Sequence, residues 1–319
     1  MALDTPTRVK CKPHNGRVTL GGMQSNRVSC RQQYRRRIVA LILYSTFIPS
    51  ATAQDLGQAH FRLQTRAIVE KRLKSFAADN QTREDIIRGW FAQSGCAKRN
   101  LSEQPVKFGL PPNVICVLPG ETAAVIVVGA HTDKVVRAGD GVVDNWSGAS
   151  LLPSLLFSLS SLKRHHTFVF IGFTGEEIGM LGSEYYVEHL APEARDRVEA
   201  MVNMDSLGVT PTKVWATHSE RSLLDALASV AMASKLPVSA VNLDNVGTTD
   251  SESFARYHIP RITLHSITQE TMPILHSSED KLAVIKMDDY YESYKLIALY
   301  LAYLDGTLTP AAATQAVTH

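Results

Sequence analysis

Several stretches of the chain place metal-binding side chains at, or shortly after, apolar runs typical of buried strands. In an open α/β sheet the carboxyl ends of the strands form one edge, and ligands bind along that edge. Residues far apart in sequence therefore meet in one pocket. Two imidazoles with four or five carboxylates suit a pair of divalent cations, which predicts metal-assisted hydrolysis. The candidates are His131 and Asp133 in VIVVGAHTD, Asp144 in GVVDNWSG, Glu176 and Glu177 in FVFIGFTGEE, Asp205 in MVNMD, and His276 in PILHSSED.

Some of these residues also have an ordinary structural explanation. Asp144 precedes an apolar helical segment and could act as its N-cap. Glu176 and Glu177 could be solvated acids in the first turn of a helix, where the helix dipole favours negative charge. The glycines that flank this pair predict a tight backbone path, which favours a functional role. His265 directly follows a strand and is the rival of His276, which we prefer because polar residues surround it.

The elements that must position these residues alternate between apolar strands and helical segments. This alternation predicts an α/β fold, a single three-layer α/β/α domain with a mixed, mostly parallel central sheet. We expect an antiparallel edge hairpin around Leu118-Pro119-Gly120, and Thr82 as the N-cap of the second helix. The predicted strands are 113–117, 123–128, 167–173, 201–204, 213–216, 238–243 and 261–264, and the helices lie within 56–92 and at 147–162, 179–190, 221–234 and 288–304.

The order and spacing of the motifs resemble a known family, the di-zinc aminopeptidases. This family includes bacterial leucyl aminopeptidase together with related carboxypeptidases and glutaminyl cyclases. The resemblance runs from about Val114 to Leu304. It is carried by VVGAHTD, GVVDNWSG, FTGEEIGMLGSEYYV, MVNMDSLG, GTTDSESFARYHIPRITL and LHSSEDKL.

The resemblance implies two Zn²⁺ ions that share one carboxylate ligand. Glu176 would be the general base, Asp133 a catalytic-site residue that orients a histidine ligand, and Asp250 a substrate-binding residue near the mouth. Ile274 and Leu275 precede the last histidine ligand, where family members often carry an aromatic residue. The implied ligands are His131, Asp144 and Asp205 for one ion, and Asp144, Glu177 and His276 for the other.

The resemblance further implies a zinc-dependent exopeptidase that acts on peptides, and we expect an aminopeptidase. A zinc ion lowers the pKa of bound water toward about 7, and the resulting hydroxide attacks the peptide carbonyl. A metal-dependent carboxypeptidase is an alternative. It would need a basic residue to bind the terminal carboxylate, and Arg256 and Arg261 could serve, although we expect both to lie on the surface. A glutaminyl cyclase-like acyltransferase and a binding protein with a vestigial pocket are further alternatives.

The excess of basic over acidic residues lies mostly before residue 40, and the formal net charge of the whole chain is +2. Nothing in the body of the chain has the basic character of a nucleic-acid interface. The arginines at 35–37, an apolar run over 38–48 and Ala51-Thr52-Ala53 are typical of a signal peptide at about 34–53, cleaved after Ala53. An uncleaved anchor is the alternative, and Met1 and Met23 are both candidate starts.

These features divide the chain into a disordered leader with signal peptide (1–53), a catalytic domain (54–306) and a flexible tail (307–319). We expect a secreted or periplasmic monomer without stable membrane insertion. Export would leave Cys96 and Cys116 in the mature chain, and an oxidising compartment favours a disulfide between them over two free thiols.

Overall fold

The computed structural model describes residues 61–107, 109–136, 138–161, 163–243 and 247–308, all within the unit Leu56–His319. The leader, the signal peptide and its cleavage after Ala53 lie outside the described residues, as does the tail from residue 309. Among the helices that are described, none has the length and apolar character needed to cross a membrane.

An eight-stranded mixed sheet forms the middle layer, with the order β1-β2-β4-β3-β5-β8-β6-β7. In its centre β4, β3, β5 and β8 run parallel, as the predicted crossovers require. Antiparallel pairs join β1 to β2, β2 to β4 and β6 to β8. The strands are β1 Leu101–Gln104, β2 Asn113–Leu118, β3 Val125–His131, β4 Thr167–Phe173, β5 Val198–Met204, β6 Lys213–Val214, β7 Ser239–Ala240 and β8 Arg261–His265.

The hairpin predicted around Leu118-Pro119-Gly120 is wrong. β2 pairs with β1 and β4, so β4 lies between β2 and β3. The chain after Gly120 follows the segment before β4, because Glu121 N donates to Arg164 O and Thr122 N donates to His165 O. The antiparallel edge is made instead by β1, which the apolar pattern does not predict because LSEQ is short and largely solvent-accessible.

Helices cover both faces of the sheet, which confirms the three-layer architecture. The larger core packs β-strand side chains against α1, α2, α4, α7 and α9, and the smaller core packs the opposite face against α5 and α8. The helices are α1 Arg66–Leu73, α2 Asn80–Gln93, α3 Ser147–Ala149, α4 Leu152–Ser160, α5 Leu181–Glu188, α6 Pro192–Arg195, α7 Arg221–Ser234, α8 Ser251–Ala255 and α9 Met287–Thr307.

Helix boundaries depart from the sequence prediction in several places, of which three bear on how the elements are arranged. Asp79, and not Thr82, caps α2, because its carboxylate accepts a hydrogen bond from Thr82 N at 2.8 Å. The predicted helix 147–162 is divided into α3 and α4. α9 extends to Thr307, one residue into the predicted tail.

A disulfide joins Cys96 to Cys116, with an S–S distance of 2.00 Å. It links the segment after α2 to β2, and both sulfur-bearing residues are buried in the larger core.

Candidate metal centre

The predicted ligands converge at the carboxyl edge of the central strands. His131 is the last residue of β3, and Asp205 directly follows β5. Glu176 and Glu177 begin a 3₁₀ turn after β4, Glu176–Ile178. The ligand atoms form two groups, each within 4.8 Å of one another, and Asp144 belongs to both. The groups are His131, Asp144 and Asp205, and Asp144, Glu177 and His276, the same sets that the resemblance implies.

The carboxylate of Asp144 lies between the two histidines. Its Oδ1 is 3.2 Å from His131 Nε2, and its Oδ2 is 3.1 Å from His276 Nε2. Glu177 Oε2 is 2.9 Å from His276 Nε2, and Asp205 Oδ1 is 3.8 Å from His131 Nε2. One oxygen of Asp144 therefore faces each group, so this carboxylate could contribute a ligand atom to both.

The burial and the chemical type of the donor atoms also suit a divalent cation. His131 Nε2 and Glu177 Oε1 are buried, and neither makes a hydrogen bond of acceptable geometry to any described residue. Burying a polar atom without a partner is costly, whereas a cation in each group would give His131 Nε2 and Glu177 Oε1 a partner. Imidazole nitrogen with carboxylate oxygen is a donor set that zinc accepts.

Proton binding compensates for the crowded carboxylates in the metal-free protein. The hydrogen bond to Asp144 raises the pKa of His276 to about 9. Burial by itself lowers the pKa of His131, but Glu176 and the neighbouring carboxylates outweigh burial and raise it well above its usual value. Burial raises the pKa of Glu176, and Asp250 and other carboxylates add to the effect. A bound cation would replace these protons, so metal affinity should fall at low pH.

Two glycines allow the backbone to approach closely at the ligands, as their position in the motifs predicts. Gly175 precedes the glutamate pair with a φ of 69°, and a Cβ there would lie 2.8 Å from Leu110 Cδ1. A Cβ on Gly148 would lie 2.6 Å from the carbonyl oxygen of Met204, so the turn that carries Asp144 packs directly on the end of β5.

Asp133 acts on more than the histidine that it was expected to orient. Its carboxylate oxygens accept hydrogen bonds from Glu176 N and Glu177 N, both at 3.2 Å. His131 Nδ1 lies 3.2 Å from the backbone oxygen of Asp133 and 3.6 Å from its carboxylate. The histidine is therefore held by the carbonyl, and the carboxylate holds the glutamate turn. This geometry favours a positioning role for Asp133, the kind of role that the resemblance implies, and extends it from the histidine to the glutamate turn.

Three further residues support the predicted ligands, and only Asp280, one of the polar residues around His276, was anticipated from the sequence. Asn145 donates to Met204 O at 2.8 Å and accepts from Ser206 N at 3.1 Å, on either side of Asp205. Thr249 donates to Asp205 Oδ2 at 2.7 Å. The carboxylate of Asp280 accepts from Val143 N and Asp144 N at 2.6 and 3.2 Å. Asn145, Thr249 and Asp280 lie inside the quoted motifs, but no signal in the sequence gives their hydrogen-bond partners.

Asp250 lies in the protein interior, and the substrate-binding role given to it stays a prediction. Its side chain is fully buried, and it is not part of the cavity wall. Burial raises the pKa of Asp250 to about 7. His265 is excluded as a ligand because both ring nitrogens are occupied: Nε2 lies 2.9 Å from Val241 O, and Nδ1 accepts from Ile267 N at 3.1 Å.

A cavity of about 320 Å³ opens beside the two groups. Asp144, Glu176 and Asp205 supply carboxylates to its wall, and among the described residues no lysine or arginine lines it. Arg256 pairs with Glu184, and Arg261 donates to Glu252 at 3.0 Å, so both arginines have carboxylate partners elsewhere. The apolar wall consists of Trp215, Leu243, Ile267, Met272 and Leu275.

Known proteins share both the sequence pattern and the fold. The chain is 28% identical over 184 residues to Aminopeptidase YwaD of Bacillus subtilis (strain 168), covering 54% of this chain and 39% of that protein. It is 35% identical over 89 residues to Leucine aminopeptidase 2 of Trichophyton equinum, covering 28% and 18%. The chain thus spans less than half the length of these curated relatives.

Solved structures share the fold, among them the two that follow. The LapA aminopeptidase of Legionella pneumophila matches with a TM-score of 0.63 and 22% identity, covering 78% of this chain and 77% of that one. An Acidobacteriales bacterium glutaminyl cyclase matches with a TM-score of 0.66 and 18% identity, covering 78% and 98%. The family model described as "Peptidase family M28" matches residues 113–301. This range is more than half of the chain and contains all of the residues in both ligand groups. The chain therefore belongs to peptidase family M28.

Proposed function

We propose that the protein is a zinc-dependent aminopeptidase that binds two Zn²⁺ ions and removes apolar residues from the amino termini of peptides. The observation that carries this proposal is the composition of the cavity wall. The wall includes members of both ligand groups together with Glu176, and among the described residues it contains no lysine or arginine. The aminopeptidases named among the relatives and the membership of family M28 support the same activity.

The composition of the cavity wall favours the amino terminus of a peptide. Among the described residues the wall offers Glu176, outside both ligand groups, as an acceptor for an α-amine, and no lysine or arginine that would bind a terminal carboxylate. A carboxypeptidase needs a basic residue at this place, and Arg256 and Arg261 are paired with glutamates outside the cavity. The apolar part of the wall, which includes Leu243 and Met272, would cover an apolar side chain of the first residue.

His131, Asp144 and Asp205 would hold one zinc ion, and Asp144, Glu177 and His276 the other. When bound, the two ions supply Lewis-acid polarisation of the scissile carbonyl and lower the pKa of the attacking water. Glu176 belongs to neither ligand group but lies in the cavity wall, with its Oε2 4.0 Å from His131 Nε2. Glu176 would accept the proton of the attacking water and return it to the leaving amine.

We further propose that the enzyme acts as a secreted or periplasmic monomer. The signal-peptide pattern before Ala53 supports export, and the disulfide between Cys96 and Cys116 suits an oxidising compartment. Both ligand groups come from a single chain, so no second copy is needed to complete the centre.

Hydrolysis of aminoacyl anilides tests the proposal. We expect leucyl, methionyl and phenylalanyl anilides to be cleaved, N-acetyl-leucyl anilide to resist, and chelator to abolish turnover that added zinc restores. Glu176→Gln should lower kcat by about 10²–10⁴-fold, because the amide cannot take the proton. Glu184→Gln is the matched control, since Glu184 pairs with Arg256 and does not line the cavity.

Three results would contradict the proposal. Equal cleavage of the acetylated substrate would show that the α-amine is not recognised. Preferential release of carboxyl-terminal residues would favour the carboxypeptidase alternative. Cyclisation of a glutaminyl peptide by a protein with one zinc per chain would favour the cyclase alternative.

A further inference from the structure

Helix α2 lies outside the family match at residues 113–301, yet it contacts the loops of the candidate metal centre. The contact is made by Arg83, whose side chain is fully buried at 0% exposure. A buried guanidinium is unusual, because charged side chains are almost never fully buried unless they are paired.

The guanidinium binds backbone carbonyl oxygens from three segments of the chain. Nε donates to Ala77 O at 2.9 Å, and Nη1 donates to Thr132 O at 3.2 Å. Nη2 donates to Asp140 O at 2.5 Å and to Gly141 O at 3.1 Å. The planar fork of an arginine can hold several acceptors at fixed angles, which a lysine ammonium cannot do.

These acceptors lie beside the metal-binding side chains. Thr132 follows the ligand His131, and Gly141 directly precedes the turn Val142–Trp146 that carries the shared ligand Asp144. A single side chain thus ties the loop of one ligand to the loop of another. The distance between His131 Nε2 and Asp144 Oδ1, 3.2 Å, depends on how these loops are placed.

Neighbours on α2 reinforce the same attachment. Lys134 N donates to Asn80 Oδ1 at 3.2 Å, and the carboxyl of Glu84 contacts the hydroxyl of Thr132. The ring of Trp146 covers the guanidinium, with its centroid 5.4 Å from Arg83 Cζ.

The positive charge of Arg83 is placed to act on the centre as well. Burial lowers the pKa of Arg83 to about 10, and the carboxylates of Asp280, Asp133 and Asp144 oppose this effect. At neutral pH the guanidinium is therefore charged, and it offsets part of the repulsion among the acidic residues of the centre.

We propose that Arg83 is a positioning residue that holds the His131 and Asp144 loops at the spacing that metal binding requires. This inference rests on the proposed function only in taking these residues as zinc ligands. It adds to that function a residue of a helix outside the family match.

Zinc affinity of the full chain tests the inference independently of peptide hydrolysis. The zinc dissociation constants of Arg83→Met, Arg83→Lys and wild type would be measured by competition with a chromophoric chelator. Thermal melting of each metal-free protein would record the effect on the fold. Arg72→Met is the matched control, because Arg72 is also buried, at 8% exposure, but its guanidinium donates to Ser94 Oγ and Ser154 Oγ, and its contact with the Asp144 turn is made by the backbone oxygen, which the substitution keeps.

We expect Arg83→Met to weaken zinc binding by about 10–100-fold, the usual effect of removing a residue that supports metal ligands. Arg72→Met should lower the melting temperature by a comparable amount and leave zinc affinity within about 2-fold of wild type. Arg83→Lys keeps the charge but reaches fewer carbonyls, so its zinc affinity should lie between those of wild type and Arg83→Met.

Equal zinc affinity in Arg83→Met and Arg72→Met would overturn the inference, because Arg83 would then be merely structural. If Arg83→Met does not fold, Arg83→Lys and Arg72→Lys carry the same comparison under the same criterion. A wild-type protein that binds zinc but cleaves no peptide would refute the proposed function and leave this inference standing. A wild-type protein that cleaves peptides, together with an Arg83→Met variant whose zinc affinity equals that of wild type, would refute this inference and leave the proposed function standing.

Discussion

The hydrogen bond from Thr249 to Asp205 offers the sharpest test of how the centre is supported. The hydroxyl of Thr249 donates to Asp205 Oδ2 at 2.7 Å and accepts from Asn203 Nδ2, also at 2.7 Å. Thr249 and Asn203 are 2% and 1% exposed, so water does not replace these bonds easily. Thr249→Val keeps the shape of the side chain and removes only the hydroxyl.

The expected magnitude follows from the two lost bonds. A hydrogen bond to a charged acceptor contributes about 1.5–3 kcal/mol, and a buried donor left without an acceptor costs about 1–3 kcal/mol. We therefore expect Thr249→Val to lower the free energy of unfolding of the metal-free protein by about 2–4 kcal/mol. Asp205 would lose its orientation toward His131, so zinc affinity should fall about 10–100-fold.

Urea unfolding of the metal-free protein and zinc titration against a competing chelator would measure the two effects separately. Thr249→Ser is the control, because it retains the hydroxyl and should restore most of the zinc affinity. Zinc binding by Thr249→Val that equals wild type would refute the reasoning: either Asp205 needs no help from Thr249, or Asp205 is not a zinc ligand.

Two further predictions concern stability away from the metal centre. Replacing both Cys96 and Cys116 by alanine should lower the free energy of unfolding by about 3 kcal/mol, the chain-entropy value for a sequence separation of 20; a urea midpoint equal to wild type would contradict it. His166 lies between Glu199 and Asp305, at 3.1 and 3.2 Å, and although burial lowers its pKa, the two carboxylates raise it above the unfolded value. The stabilisation by His166 is therefore full below about pH 6.5 and is lost as the pH rises through the pKa of the folded state. The difference in urea midpoint between wild type and His166→Gln should therefore shrink as the pH rises. A difference that stays constant with pH would contradict this prediction.

The central strands and the helix 221–234 could be predicted because their signal lies in the local sequence. Continuous apolar runs marked the central parallel strands, because strands covered on both faces need apolar side chains in every position. The prediction of strand 167–173 was confirmed to the residue, and so was helix 221–234. The convergence of His131 and Asp205 followed from the shared carboxyl edge of parallel strands.

Strand neighbours and buried hydrogen bonds could not be predicted in the same way. Whether the chain turns back after Leu118 or crosses to the far side of β4 depends on pairing with residues about 50 positions later, such as Phe168. Arg83 looks like any helix-surface arginine in REDIIRGW, and only the three-dimensional fold brings the carbonyls of Thr132 and Gly141 to it. Such partners leave no periodic signal in the sequence.

The pair Glu176 and Glu177 shows why identical neighbours can have different roles. Successive residues in a 3₁₀ turn point about 120° apart, and Asp133 fixes the turn by accepting from both backbone N–H groups. Glu177 is thereby directed to His276 Nε2, at 2.9 Å, while Glu176 faces the cavity. The division between the proposed ligand and the proposed base is therefore set by the backbone of the turn, not by the chemistry of the side chains. Exchanging the environments of the two glutamates would require a different path for the chain between Gly175 and Gly179, and both glycines have the positive φ on which the present path depends.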